Sequence, residues 1–68
     1  MNAVQVIDRI DQSIANHRDA GNGEIAHDLC CLRLRIAAGS ESVTWKNVSL
    51  PNRQGIALLD GGKWVASV

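Results

Sequence analysis

The side chains best suited to chemistry in this chain are His17, His27, Cys30 and Cys31. If residues 17 and 27 flank a helical turn at Asn22, the two histidines are symmetric about it. His27 and Cys31 are spaced i, i+4, so on a helix they share a face and could chelate one ion. Structural zinc takes four nitrogen or sulfur ligands, and this group holds four candidates. The spacing matches no familiar zinc signature, however, and adjacent cysteines on a helix seldom both point at one ion. The plainer expectation is that Cys30 and Cys31 are small apolar helix residues and that no metal or other cofactor is needed. A cysteine nucleophile would need a nearby base, an electropositive setting and substrate access. His27, Arg33 and Arg35 are close in sequence, but a mid-helix thiol on an apolar side lacks the access.

Other catalytic patterns are weaker still. Asp8 and Asp11 share a helix neighbourhood and suit a solvated edge. Gly61-Gly62-Lys63 leads into a strand, not into the helix a phosphate loop requires. The expectation is therefore a protein without enzymatic activity.

Binding groups remain. Trp45 and Trp64 are the only aromatic residues in the chain. Tryptophan is favoured both as core filler and as an interface anchor. Arg53 lies in Pro51-Asn52-Arg53-Gln54-Gly55, a segment with turn chemistry throughout, and is expected at the tip of a loop.

These residues need elements to position them. Ala3, Val6, Ile7, Ile10, Ile14 and His17 recur at helical spacing and predict an amphipathic helix over 3–19, capped by Asn2. Gly21-Asn22-Gly23 breaks it, with Gly21 suited to a left-handed position and Asn22 suited to capping the next helix. Residues 23–38 predict a second helix. Ile25, Leu29, Leu32 and Ile36 form one stripe, and Ala26, Cys30, Leu34 and Ala37 form another. A helix apolar on two sides is expected to be buried on two sides.

From Val43 the period changes to two. Val43-Thr44-Trp45 opens a strand, with a slip in alternation near Lys46-Asn47 that predicts a bulge or turn. Ile56–Leu59 and Lys63–Val68 flank Asp60-Gly61-Gly62 as a hairpin. A two-residue loop would set Trp64 opposite Leu59, a three-residue loop opposite Leu58. The predicted fold is α+β, a two-helix hairpin (1–39) followed by a meander of about three antiparallel strands (40–68) in one domain, ααβββ. With so few strands, one sheet face is expected to stay apolar and open to contact.

Composition narrows the function classes. The chain has 68 residues, seven Lys+Arg against seven Asp+Glu, and 46% hydrophobic residues. It is too short for two domains and too apolar for a disordered tail. No apolar run reaches the roughly 18 residues of a membrane span, and no secretory leader pattern opens the chain. Adjacent cysteines make a poor disulfide, and free thiols point to the cytoplasm. A domain this small buries only ~60% of its unfolded surface, so a partner subunit is the expected source of extra stability.

The leading expectation is a protein-binding module that acts by steric contact. Bacterial or phage-encoded inhibitors and small regulatory subunits typify that class. Its expected contact residues are Asp8 and Gln12 on the polar side of the first helix, Arg53, and Trp64 on the hairpin edge. A homodimer contact is expected on the second helix at Cys30 and Leu34. The alternative is a dimeric nucleic-acid-binding regulator pooling Arg33, Arg35, Lys46 and Lys63. Charge disfavours it: the first 39 residues carry four basic against five acidic side chains, and phosphate contacts dominate such binding.

Overall fold

The computed structural model describes residues 1–68 and places them in the order α1 (Ala3–Asp19), α2 (Gly23–Ala37), β1 (Val43–Leu50), β2 (Arg53–Asp60) and β3 (Lys63–Ser67). It is the ααβββ arrangement of the sequence reading. Helix α1 starts with a reciprocal cap. The Asn2 side chain accepts from the Gln5 backbone N–H, and the Gln5 side chain accepts from the Asn2 N–H, both at 3.0 Å. Two of the first turn's orphan donors are thereby satisfied. Val6, Ile10 and Ile14 face the core. Gly21, at φ +79°, makes the left-handed step that reverses the chain.

Asn22 precedes α2 without capping it through its side chain. Its amide instead lies 3.3 Å from His17 Nδ1, tying the two helices at the turn. The buried face of α2 is Ala26, Leu29, Leu32 and Ile36. The two expected stripes divide differently: Ala26 of the second joins the buried face and Cys30 is half-buried, while Leu34 (65% exposed), Ala37 and, from the first stripe, Ile25 (47% exposed) lie open. Within one chain α2 is buried on one side only, because the helices form a single layer. Helix α2 therefore has α1 on one flank, the sheet beneath, and nothing beyond.

The sheet has the order β1-β2-β3, antiparallel throughout. Strand β1 pairs with β2 without interruption from Val43↔Asp60 to Leu50↔Arg53. No bulge occurs at Lys46-Asn47. The alternation slips there because both sheet faces carry apolar side chains, which blurs the two-residue period. The turn is only Pro51-Asn52, so Arg53, Gln54 and Gly55 belong to β2 rather than to a loop. The bulge lies in β3: Leu58 opposes Ala66 and Leu59 opposes Trp64, leaving Val65 as the extra residue. The second hairpin closes on Gly61-Gly62, both with positive φ, as a two-residue turn demands.

The pairing sorts side chains by face. Val43, Trp45, Ile56, Leu58, Ala66 and Val68 pack with the helices in one core. Trp45 is anchored there, with its indole N–H donating to the Met1 carbonyl at 3.1 Å. The outer face carries Val48, Leu50, Ala57, Leu59 and Trp64. Ala57 is fully buried there although no helix covers it.

Candidate functional site

Two concavities flank the core. The first is a polar cleft of about 320 Å³ lined by Arg9, Gln12, Ser13, Asn16, Arg53 and Val68. Its wall comes from one side of α1, where positions 9, 12, 13 and 16 follow the i, i+3, i+4, i+7 spacing of a helix face. Its other wall is the start of β2. Arg9 Nη2 and Arg53 Nη1 donate to the backbone oxygen of Val68 at 3.2 and 3.1 Å. Neither guanidinium pairs with a carboxylate side chain. The two ion pairs of the fold are Arg33–Asp11 at 2.6 Å and Arg35–Asp60 at 2.8 Å. A guanidinium has five N–H donors, so Arg9 and Arg53 hold donors in reserve for a carboxylate or phosphate.

The second concavity, of about 480 Å³, runs between α2 and β3. Ile25, Leu29, Leu32, Val65 and Ala66 give it an apolar floor, and Asp28, Arg35 and Asp60 stand around it. The β3 bulge makes this floor, because an extra residue sets Val65 and Ala66 together on the helix side. At one end Arg35 grips Asp60 through both carboxylate oxygens at 2.8 and 2.9 Å and donates to Ser42 Oγ at 2.6 Å. Its guanidinium holds the Asp60 carboxyl below its ordinary value of 3.8, chiefly by hydrogen bonding. Reciprocally, Asp60 raises Arg35 above its already high value.

The expected contact residues separate. Gln12 and Arg53 share the polar cleft. Asp8 is exposed on α1 but does not line it. Trp64 lies on the outer sheet face, 51% exposed, with its indole N–H donating to Ser67 Oγ at 2.9 Å. Arg53 is the first residue of a strand and not a loop tip. Cys30 is half-buried, with Arg18 donating to its sulfur at 3.7 Å, whereas Leu34 is open to solvent. The arginines of the nucleic-acid alternative, Arg33 and Arg35, are both engaged in ion pairs. Lys46 and Lys63 pair with Ala57 and Asp60, which point to opposite sheet faces.

The histidines and cysteines also disperse. His17 faces Asn22, Cys30 faces Arg18, and Cys31 Sγ lies 3.8 Å from His27 Nε2 on the exposed side of α2. No three His, Cys, Asp or Glu side chains converge as a metal would require. No helix is long and apolar enough to cross a membrane.

Sequence reasoning passed over Arg9, Ser13 and Asn16 as contact residues. Their polar stripe at helical spacing was the available signal. Comparison with protein-family models, curated proteins and solved structures finds no match to this chain.

Proposed function

We propose that this is a protein-binding module without catalysis of its own, one that acts by covering an acidic site on another protein. The observation that supports this is the convergence of Arg9 and Arg53, from opposite halves of the chain, in one polar cleft. Both guanidinium groups retain free donors, and no carboxylate side chain pairs with either. Bidentate arginine–carboxylate contacts are strong and directional, so an aspartate or glutamate of a target fits the cleft. Gln12, Ser13 and Asn16 add amide and hydroxyl groups that fix its orientation. Binding would act by occlusion, because a 7.3 kDa domain covers a site more readily than it encloses a substrate.

The same two guanidinium groups would suit a phosphate, which keeps nucleic acid as the competing partner. One experiment separates them. The protein and its Arg9→Ala/Arg53→Ala variant are immobilised side by side and exposed to nuclease-treated bacterial lysate at moderate salt. One protein retained near stoichiometrically by the wild type, and at least about tenfold less by the folded variant, is the expected result. Equal retention by both forms refutes the cleft as the contact. Recovery of nucleic acid alone from an untreated lysate, with steep loss in salt, replaces this function with the regulator.

A further inference from the structure

We infer that the groove between α2 and β3 is a self-association surface whose occupant is the same groove of a second copy, related by a two-fold axis. This goes beyond the target-binding cleft and does not depend on it. Three features carry it. First, the groove floor is apolar and open. Ile25 and Val65 are each 47% exposed, and they border the buried Leu29 and Leu32. A chain of this size has little core to spare, and Cys30 and Cys31 are free thiols that staple nothing. Covering a continuous apolar surface with a second copy is the available gain.

Second, the bulge argues for side-chain docking over strand addition. Strand β3 is a sheet edge, but it has only five residues, begins with a lysine and is bulged at Val65. These are the devices that block edge-to-edge strand pairing. The same bulge turns Val65 toward α2. The groove therefore offers a knob rather than a row of hydrogen-bonding groups.

Third, charge along the groove is self-complementary. Helix α2 runs opposite to β3: its Arg35 end meets Asp60, next to Lys63, while its Ile25 and Asp28 end lies toward Ser67. On α2 itself Glu24 and Asp28 occupy the first half and Arg33 and Arg35 the second. Arg35 and Asp60 neutralise each other; Lys63, paired with Asp60 at the rim, leaves that end positive, and Asp28 in the lining leaves the other negative. A two-fold axis through the groove sets α2 antiparallel to its copy. Lys63 of each chain then falls at the Asp28 end of the other. A parallel arrangement would set like charges together. An isologous contact requires this kind of self-complementarity. The surface lies beside Cys30 and Leu34 rather than on them.

Sedimentation equilibrium of the full 68-residue chain over a concentration series tests this. The expected species at on the order of 100 µM is a dimer, with twice the 7.3 kDa chain mass. Val65→Glu, a change at an exposed position, is expected to give a folded monomer by circular dichroism. Asp28→Lys and Lys63→Glu are each expected to weaken association about tenfold, since the contact occurs twice and each change substitutes repulsion for attraction. Asp28→Lys with Lys63→Glu in one chain is expected to restore it, because the reversed charges again face each other. A wild-type monomer across the series overturns the proposal. So does a dimer unaffected by Val65→Glu. A double variant no tighter than the weaker single variant overturns the antiparallel arrangement on which the proposal rests.

Discussion

Gly55 is the position where the strand assignment of residues 53–55 has the sharpest energetic consequence. In a loop, alanine in its place would cost nothing. In β2 it sits buried beneath Leu50, and an added Cβ would lie 2.5 Å from Leu50 Cδ1, 3.0 Å from Leu50 Cγ and 3.3 Å from the Val68 carbonyl oxygen. Unstrained carbon–carbon contacts are about 3.5–4.0 Å. The half-buried leucine's terminal methyl can rotate away, but its Cγ and the Val68 oxygen must also give way. The Val68 oxygen is held by the Ile56 N–H at 3.2 Å. Overpacking of this kind costs about 1–3 kcal/mol. Against it stands the gain of about 0.4–1 kcal/mol from restricting the unfolded chain. Gly55→Ala is thus expected to lose roughly 1–2 kcal/mol. A 68-residue domain has in total about 3–10 kcal/mol. The corresponding drop in melting temperature is about 5–15 °C, read by far-ultraviolet circular dichroism at fixed protein concentration. Leu50→Ala in the Gly55→Ala background removes the obstructing methyl groups. The two changes together should cost less than their sum by more than about 0.5 kcal/mol. A Gly55→Ala protein that melts at or above the wild type, or strict additivity with Leu50→Ala, would refute this packing argument.

Two further predictions concern ionisation and thiols. Asp60 is held below 3.8 by Arg35, so the stability from this pair is fully present above that pH and is lost as pH falls through the lowered value. Asp60→Asn should flatten the acid limb of a stability–pH profile and lower stability near neutrality; an unchanged acid limb would show that the pair does not contribute. Cys31→Ser replaces an exposed side chain and should shift stability by no more than about 0.5 kcal/mol, with a chelator leaving the melt unchanged. Unfolding on chelation would restore the zinc site.

The order of elements was legible because each announces itself locally. Asn2 with Gln5, the 3.6-residue spacing of Val6, Ile10 and Ile14, and Gly21 and Gly61-Gly62 at positive φ are all short-range signals. The failures have one physical origin, which is that burial is decided by what lies beyond an element. Nothing in residues 23–38 states that, within one chain, α2 has a neighbour on one flank only, so Ile25 reads as part of a buried stripe although it is 47% exposed. The alternation in β1 looks broken at Lys46-Asn47 because Val48, paired with Gly55, and Leu50, packed over Gly55, put apolar side chains on the outer face. The bulge at Val65 is set by pairing with β2 and leaves no trace in β3 itself. Of the polar cleft, Gln12 and Arg53 were legible as exposed polar groups. Their meeting was not, since it depends on where α1 crosses the sheet.

That crossing keeps the two proposed surfaces apart. Strand β2 touches both: Arg53 opens it beside the cleft, and Asp60 closes it, seven residue steps or roughly 23 Å away, at the Arg35 end of the groove. Across the proposed two-fold axis, the groove of each copy is covered while Arg9, Gln12 and Arg53 take no part in the contact. A dimer therefore carries two clefts, each free to take one acidic group. Loss of association by Val65→Glu then leaves the chemistry of a single cleft unchanged and removes only the benefit of presenting two together. Loss of Arg9 and Arg53 does the reverse, abolishing target capture while the dimer persists. The two proposals fail separately, because no residue lines both surfaces and no ion pair joins them.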